Sequence, residues 1–446
     1  MSPGCVSAKL WWFLLAGLLV ALALTAVLLL LAGQSLQYMR DRSMTPVGNP
    51  HSATPSRAQD MSPGGLHREG EGQSGLGFTW DPLPSRPPRQ SRRRHHHIVF
   101  LKTHKTGGST VQNLLFRLAE KEGLTFAFPY FTYQFGYPQR FREEFVDELP
   151  PGASQFDILC SHMRLDLPQL RRMMPADSIY LTILRDPVST FESVFSYYAS
   201  MVPAFTLVQN RASDSPGGPD QRQLLAAFLA SPESYYDPAD PSNGLARNPM
   251  TFDLGLGPRE WNASWAGELA KLAEAFHLVM IAKHFDESLV LLKELLQLDY
   301  QDLVYVELNA RPGPDRAQPD EELRARVRSW NALDVLLYEH FSRLFWEKAR
   351  RYGLRRLAEG VRELRALARR TRRRCLQREG VPPGELEDLL RPWQPNSATI
   401  LGYDLRGNLS AQEQGSCLRL VLPELQYHSY LYFQQYGRDL RLVPAG

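Results

Sequence analysis

The sequence has few cysteines and almost no excess of charge of either sign. Only four of its 446 residues are cysteine, and 51 Lys and Arg nearly balance 48 Asp and Glu. Because four cysteines are too few for a disulfide scaffold, a hydrophobic core must hold the fold together. The net charge of +3 shows no overall excess of basic charge that would argue for nucleic acid, which needs a concentrated Lys and Arg surface, so nucleic acid is not expected as a partner. The basic residues that do cluster lie before the first predicted strand and near the C-terminal end.

The cysteines that are present differ in what they predict. Cys375 and Cys417 are the only plausible pair in the C-terminal third, and an oxidising compartment would permit their bridge. The sequence leaves open whether that bridge forms. Cys160 ends an apolar run, which predicts a buried free thiol, since such a cysteine behaves as a small hydrophobic residue.

Charged side chains are absent from residues 10–33, which consist mainly of Leu, Ala and Val. As a helix this segment would reach about 36 Å, enough to cross a bilayer core, and it is longer than the ~7–15 apolar residues of a secretory signal. We therefore expect an uncleaved signal-anchor of a single-pass type II membrane protein, preceded by a cytosolic tail at residues 1–9. Small residues at Ala32 and Gly33 keep a cleaved signal peptide as the alternative.

Apolar periodicity is missing from residues 34–97, which are rich in Pro, Gly, Ser, Gln and Arg. This composition is typical of a disordered stem that holds a globular body away from a membrane. The basic and His-rich tract at residues 92–97 is interpreted as solvated linker rather than as a site for a metal or an acidic partner. Two N-glycosylation sequons, at Asn262 and Asn408, support a lumenal location for the body at residues 98–446.

The body alternates short apolar runs with helical patterns. Strands are predicted at residues 98–103, 156–160, 179–184 and 277–282, and helices at residues 109–121 and 289–298. This alternation is typical of an α/β fold with a mostly parallel sheet flanked by helices. In such sheets ligands bind beyond the carboxyl ends of the strands, so functional residues should directly follow the strands. Three blocks of polar residues do.

The first block joins the first strand to the first helix. It consists of Lys102, Thr103, His104, Lys105, Thr106, Gly107, Gly108, Ser109 and Thr110. Backbone N–H groups at such a turn, together with the helix N-terminus, can bind an anion, and Lys105 adds a positive charge. The block is not a Walker A loop, because Lys105 precedes both glycines instead of following the second, and this order disfavours a nucleotide kinase. An ordinary Gly-containing turn is the alternative.

The second block directly follows the third predicted strand. Arg185 ends that strand, where a guanidinium can bind a phosphate through two hydrogen bonds. Pro187 suits the first turn of the next helix, and Ser193 lies about two turns into it, where its hydroxyl could contact the same phosphate. The alternative is a structural pair of Arg185 and Asp186 that caps the helix.

The third block, CSHMR at residues 160–164, follows the second predicted strand. His162 within it is a candidate general base for an acceptor hydroxyl, because imidazole has a usual pKa near ~6.5. His104 of the first block is the competing candidate.

Several segments together resemble the galactose-3-O-sulfotransferase family. They are FLKTHKTGGST at residues 100–110, CSHMR at 160–164, LRDPVSTFESVFSYY at 184–198, FHLVMIAKHFDESLVLL at 276–292, LNAR at 308–311, ILGYDL at 400–405 and PELQY at 423–427. The similarity covers roughly residues 98–430. The later segments have no generic phosphate-binding role, which makes the resemblance specific.

The resemblance implies a P-loop-like sulfotransferase fold and a Golgi enzyme that uses PAPS and requires no metal. It implies transfer of a sulfuryl group to the 3-hydroxyl of a nonreducing terminal β-galactose on glycoprotein or glycolipid glycans. In the family pattern Lys105 would assist the leaving phosphate, Arg185 and Ser193 would hold the donor's 3′-phosphate, and His162 matches the catalytic base. The alternative is a sulfotransferase-like protein that binds a glycan or PAP without turnover.

The chain departs from the family pattern at three places. Ser161 stands where the family usually has Asn, and Gly107 stands where it usually has Ala or Ser. Lys283 and His284 replace a Glu and an aromatic residue, a change expected to affect acceptor contacts.

Overall fold

A computed structural model describes residues 95–212, 220–256, 264–312 and 319–441. The predicted cytosolic tail, the signal-anchor, nearly all of the stem and the sequon at Asn262 lie outside these ranges. Within them, no helix combines the length and the apolar character that crossing a membrane would demand.

A four-stranded parallel sheet lies at the centre of the described body. Its strands are β1 (Ile98–Leu101), β2 (Ile158–Leu159), β3 (Ile179–Leu184) and β4 (Leu278–Ile281), in the order β2-β1-β3-β4. All residues of these four strands are buried, because helices cover both faces of the sheet. Apart from Thr182, every one of them is apolar or aromatic. The predicted α/β class and the mostly parallel sheet are thereby confirmed.

Helices follow three of the four strands directly. They are α1 (Gly108–Glu122) after β1, α3 (Pro187–Tyr197) after β3 and α8 (Phe285–Leu296) after β4. The other α-helices of the described ranges are α2 (Leu167–Met173), α4 (Pro203–Ala212), α5 (Gln221–Ala230), α6 (Pro249–Asp253), α7 (Trp265–Ala275), α9 (Glu321–Trp330), α10 (Ala332–Tyr352), α11 (Leu354–Cys375), α12 (Ala411–Val421) and α13 (Glu424–Tyr436).

The start of α3 agrees with the sequence, whereas the start of α8 does not. Asp186 caps α3 by accepting a hydrogen bond from the Ser189 backbone N–H at 2.9 Å, and Pro187 is the first helical residue. Helix α8 was predicted at residues 289–298 but begins four residues earlier, at Phe285. The Ser288 hydroxyl accepts a hydrogen bond from the Ile281 N–H at 3.0 Å and ties α8 to β4.

Two hydrophobic cores support the site from different sides. The larger core surrounds the sheet. The smaller core lies among α3, α4, α5 and α9, where Phe191, Phe195, Phe205 and Phe228 are fully buried against one another. Helix α3 therefore has one face in an apolar core while its start remains beside the sheet edge.

A disulfide joins Cys375 at the end of α11 to Cys417 in α12, with 5.2 Å between the two Cα atoms. That separation lies within the usual range for a disulfide, so the pairing that the sequence left open is formed. The same region contains an antiparallel pair of strands, β5 (Leu376–Val381) and β6 (Gly402–Leu405). Cys160 is free and buried, as predicted.

Candidate active site

The turn between β1 and α1 is shaped by close backbone approaches. Gly107 precedes α1 with a φ of 94°, a left-handed conformation that glycine adopts without strain. A Cβ on Gly108 would lie 2.7 Å from the Lys102 side chain, so a larger residue at this position would displace that side chain. Thr103 and Thr106 join their hydroxyls at 2.8 Å across the turn. These contacts constrain the backbone between β1 and the N-terminus of α1.

A cavity of about 230 Å³, here called the donor cavity, opens at this edge. Its lining includes nearly all the residues predicted for the donor, namely Lys102, Thr103, Lys105, Thr106, Gly107, Gly108, Ser109, Thr110, Arg185 and Ser193, and also His162. Residues contributed by other segments complete it, among them Tyr198, Phe285, Tyr305, Asn309 and Arg311. The structure thus brings together the three blocks that the sequence placed after separate strands.

Positive charge is concentrated in the donor cavity. The Arg185 guanidinium donates a hydrogen bond to the Lys105 carbonyl at 3.0 Å, and the Lys105 ammonium lies 3.6 Å from the centre of the Tyr197 ring. Burial, followed by the charges of Arg311 and Arg185, holds the pKa of Lys105 well below its usual value. Cations that disfavour one another in this way are stabilised by a bound anion, so the cavity is suited to a phosphate-bearing ligand.

Arg311 is a cavity residue to which the sequence analysis assigned no role. It is buried and forms an ion pair with Glu192 of α3, with 2.6 Å between the charged atoms. The residue lies in the LNAR segment that supported the family resemblance, and this segment reaches the cavity only through the tertiary fold. The sequence alone therefore does not indicate that Arg311 lies in the site.

His162 is oriented by a backbone carbonyl. Its Nδ1 lies 2.8 Å from the Lys102 carbonyl oxygen, which can only accept a hydrogen bond, so Nδ1 carries the proton and Nε2 can accept one. Burial, followed by the proximity of His104 and Lys102, holds the pKa of His162 well below its usual value. The ring is consequently neutral near pH 7, which is the form that a general base requires.

His104, the competing candidate, lies behind His162 and does not line the donor cavity. The two rings stack with their centres 4.0 Å apart. His104 donates from Nδ1 to the Asp253 carboxylate at 2.9 Å and from its backbone N–H to the same group at 2.7 Å. The His104 ring is buried by these contacts. Unlike the other residues of the predicted donor loop, His104 packs against His162 and does not line the donor cavity.

A second cavity, here called the outer groove, adjoins the donor cavity and has a volume of about 560 Å³. The two share Ser109, His162, Tyr198, Leu308 and Asn309. The remaining lining is mostly aromatic and apolar and comprises Thr132, Tyr133, Gln134, Tyr197, Met201, Leu390, Pro392, Trp393, Leu401, Gly402, Tyr403, Val421, Pro423, Glu424 and Leu425. His162 therefore lies at the junction of a cation-lined cavity and an aromatic groove.

Comparison with known proteins extends the likeness over most of the sequence. The family described as galactose-3-O-sulfotransferase matches residues 4–435. The chain belongs to this family. It is 42% identical to galactose-3-O-sulfotransferase 3 of Mus musculus over 80% of this chain and 82% of the relative. The identity is also 42% to human galactose-3-O-sulfotransferase 2, over 78% and 86% of the two chains.

Relatives with a different name and a more distant solved structure are also similar. Galactosylceramide sulfotransferase of Mus musculus is 39% identical over 75% of this chain and 77% of that protein. A sulfotransferase structure from Alicyclobacillus acidocaldarius has 14% sequence identity and a TM-score of 0.29, and it covers 56% of this chain and 95% of that one.

Glu424 is a further site residue of this family member that the sequence analysis did not single out. It is the first residue of α13, pairs with the Lys102 ammonium and accepts a hydrogen bond from the Ser109 hydroxyl at 2.9 Å. Although burial opposes ionisation, Lys102 and Ser109 hold the pKa of Glu424 below its usual value. An ionised carboxylate thus lines the outer groove beside the donor loop.

The departures from the family pattern differ in their distance from the site. Gly107 lies in the donor loop, and Ser161 is buried beside Gln112 at 3.5 Å. Lys283 and His284 line neither the donor cavity nor the outer groove, and the His284 ring packs against Trp346 with 4.8 Å between ring centres. Because neither Lys283 nor His284 lines a cavity of the site, the geometry gives no support to the expected effect of these residues on acceptor contacts.

Of the two predicted glycosylation sites, Asn408 lies within the described ranges. It is exposed in the turn between β6 and α12. Asn262 lies in the undescribed segment before α7.

Proposed function

We propose that the protein transfers a sulfuryl group from PAPS to the 3-hydroxyl of a β-galactose at the nonreducing end of glycoprotein or glycolipid glycans. Membership of the family supports the reaction class. The observation that carries the proposal is the position of His162, which lines both the cation-rich donor cavity and the outer groove. A base at this junction can reach an acceptor in one cavity while the donor occupies the other.

The donor is bound by opposite charge and by backbone donors. The loop ending at Gly108 and the N-terminus of α1 hold the 5′-phosphosulfate, since N–H groups there point at the anion. Arg185 and Ser193, which line the same cavity, hold the 3′-phosphate. This division matches the roles that the family resemblance implies for the two blocks.

The chemical step needs one proton acceptor and one charge stabiliser. Nε2 of His162 takes the proton from the galactose 3-hydroxyl as the new bond from that oxygen to sulfur forms. The bond from sulfur to the phosphate oxygen breaks at the same time, and PAP leaves with the negative charge. Lys105 stabilises that charge, an electrostatic role that costs no reorganisation because the ammonium is already in place.

Labelled-sulfate transfer from PAPS to a terminal β-galactoside tests this mechanism. The Lys105→Ala and His162→Ala variants of the full chain should lose at least about a hundredfold in kcat. Lys283→Ala is the matched control, because this lysine lines neither cavity, and it should retain activity. Full activity in both site variants would remove the mechanism.

Binding without turnover is the second candidate function. It predicts that PAP binds, as measured by calorimetry, while no acceptor in a panel of galactosides receives sulfate. The complete set of His162, Lys105 and Arg185 around one cavity favours the enzyme.

We further propose that the protein acts in the Golgi membrane as a single-pass type II protein with a lumenal catalytic body. The uncharged segment at residues 10–33 and the sequon at Asn408 support this location. The disulfide between Cys375 and Cys417 agrees with an oxidising compartment.

A further inference from the structure

The outer groove is larger than the site of sulfuryl transfer requires. Its volume of about 560 Å³ exceeds the 230 Å³ of the donor cavity, although only one acceptor hydroxyl has to reach His162. Pockets of ~300–1,000 Å³ are typical of sites for drug-sized ligands. The groove therefore has room for a part of the acceptor beyond the galactose.

Large apolar side chains are exposed in this groove. Trp393 has 42% of its surface exposed and Met201 has 50%, and both line the groove. Exposed apolar surface that is gathered in one concave place is typical of a binding site, because burying it against a ligand is favourable.

The loop that carries Trp393 is fixed at several points. The Gln394 side chain accepts a hydrogen bond from the Ile400 N–H at 2.8 Å and donates to the Pro392 carbonyl at 2.9 Å. The Ser397 hydroxyl donates to the Ser196 carbonyl at 2.7 Å, which ties the loop to α3. The backbone that carries Trp393 is thus held in position before any ligand arrives, which lowers the entropic cost of binding.

Tyr197 connects this indole to the reacting end of the donor cavity. Its ring lies under the Lys105 ammonium at 3.6 Å and contacts Trp393 with 5.8 Å between ring centres. Trp393 and the Lys105 ammonium thus both contact Tyr197, and Trp393 lines the outer groove but not the donor cavity.

We propose that Trp393 forms a subsite for the sugar to which the galactose is linked, so that the enzyme recognises its acceptor as at least a disaccharide. A sugar ring has an apolar face of C–H groups and an edge of hydroxyls. Trp393 provides an aromatic platform for the face, and Gln134, Asn309 and Glu424 provide polar groups for the edge. These polar groups favour a saccharide over the hydrocarbon chains of a lipid. The inference rests on the proposed function.

The test compares three acceptors: a methyl β-galactoside, a β-galactosyl disaccharide and a galactosyl lipid. Trp393→Ala should lower kcat/KM for the disaccharide about tenfold more than for the methyl galactoside, mainly through KM. Trp393→Phe keeps an aromatic platform and should retain most of the activity. Phe433→Ala is the matched control, since this aromatic side chain is 53% exposed and lies outside both cavities.

Each other outcome has a defined meaning. An equal loss on the methyl galactoside and the disaccharide would overturn the subsite, and so would no loss on either. A loss confined to the galactosyl lipid would assign the groove to a lipid and overturn the saccharide subsite. Absence of transfer by the unmodified enzyme to all three acceptors would instead contradict the proposed function.

A binding measurement that needs no turnover distinguishes a failure of the subsite from a failure of the proposed function. Saturation-transfer NMR of the disaccharide with the PAP-loaded protein should show contact at both sugars. In Trp393→Ala the signal of the second sugar should fall relative to the galactose. An unchanged ratio would overturn the subsite whether or not the protein is active.

Discussion

At the scale of the residue, the site contains two histidines and two lysines whose surroundings give each member of the pair different contacts. His162 and His104 are stacked, but the first is held by a backbone carbonyl and faces both cavities, whereas the second is held by Asp253 and lies behind it. Lys102 is paired with Glu424, whereas Lys105 lies over an aromatic ring among other cations. The charge of Lys102 is therefore compensated within the protein, whereas Lys105 lies among other cations, as the proposed contact with the donor's phosphate requires.

The lowered pKa of Lys105 predicts a pH dependence of PAP binding. PAP favours the protonated lysine, so affinity should be highest below the pKa of Lys105 in the free protein. Above that pKa it should fall by up to about tenfold per pH unit, with proton uptake on binding. Calorimetry in buffers of different ionisation enthalpy measures the uptake.

Lys105→Arg is the matched control for this prediction, because a guanidinium stays charged over the whole range. The variant should bind PAP without the lysine-dependent proton uptake. If the unmodified protein and the variant took up the same number of protons at every pH, Lys105 would not be the titrating group.

At the scale of the element, the short helix α6 positions the site through Asp253, a residue that lines neither the donor cavity nor the outer groove. The backbone N–H of Asn248 before α6 donates to the Asn331 side chain at 2.7 Å, and the Thr251 hydroxyl donates to Asp334 at 2.7 Å. Burial raises the pKa of Asp334 to about 7. Helix α6 is thereby fixed to the start of α10, and Asp253 at its end holds the His104 ring.

Replacing Asp253 by Asn should disturb catalysis more than donor binding. The amide accepts fewer hydrogen bonds than the carboxylate, so His104 and the stacked His162 lose their orientation, and kcat should fall about ten- to a hundredfold. PAP affinity should change little. Steady-state kinetics together with PAP calorimetry separates the two quantities.

Tyr137→Phe is the comparison variant, because it removes a single hydrogen bond to Asp253, of 3.0 Å, and leaves the carboxylate in place. Its kcat should fall less than that of Asp253→Asn. An Asp253→Asn enzyme with unchanged kcat and an unchanged melting temperature would show that α6 does not position the base.

At the scale of the whole molecule, the proposed topology places every part of the body on one side of a membrane. Asn408 is exposed and should carry an N-glycan when the full chain is made in cells. Endoglycosidase treatment should increase the mobility of the protein on a gel, and Asn408→Gln should reduce that shift by one glycan. The body should also resist protease added outside intact microsomes.

Digestion of the body in intact microsomes, with no glycan at Asn408, would contradict the lumenal topology. The Ser410→Ala variant offers a matched control, since it removes the sequon while Asn408 itself remains. Ser410 also caps α12, so its melting temperature should be measured as well.

The elements that could be predicted are those whose sequence pattern depends on local burial. Strand β3 was predicted at the residues that form it, because all six are apolar or β-branched and lie in the middle of the sheet. Strand β2 is shorter than predicted, at Ile158–Leu159, since Asp157 and Ile158 bond through their N–H groups to the Thr125 carbonyl. Hydrogen-bond partners that come from another segment of the chain, as Thr125 does here, leave no periodic pattern in the sequence.

The sequence by itself determined the α/β class, the donor loop and the family, because runs of buried residues and strand-end motifs are local. Only the tertiary structure showed that His162 lines both cavities while His104 lies behind it, brought Arg311 and Glu424 to the site, and joined Cys375 to Cys417. The physical reason is that cavities, charge pairs and disulfides depend on distances between segments. In this chain α1, α3, α6 and α13 meet at one sheet edge, although their residues are up to about three hundred positions apart.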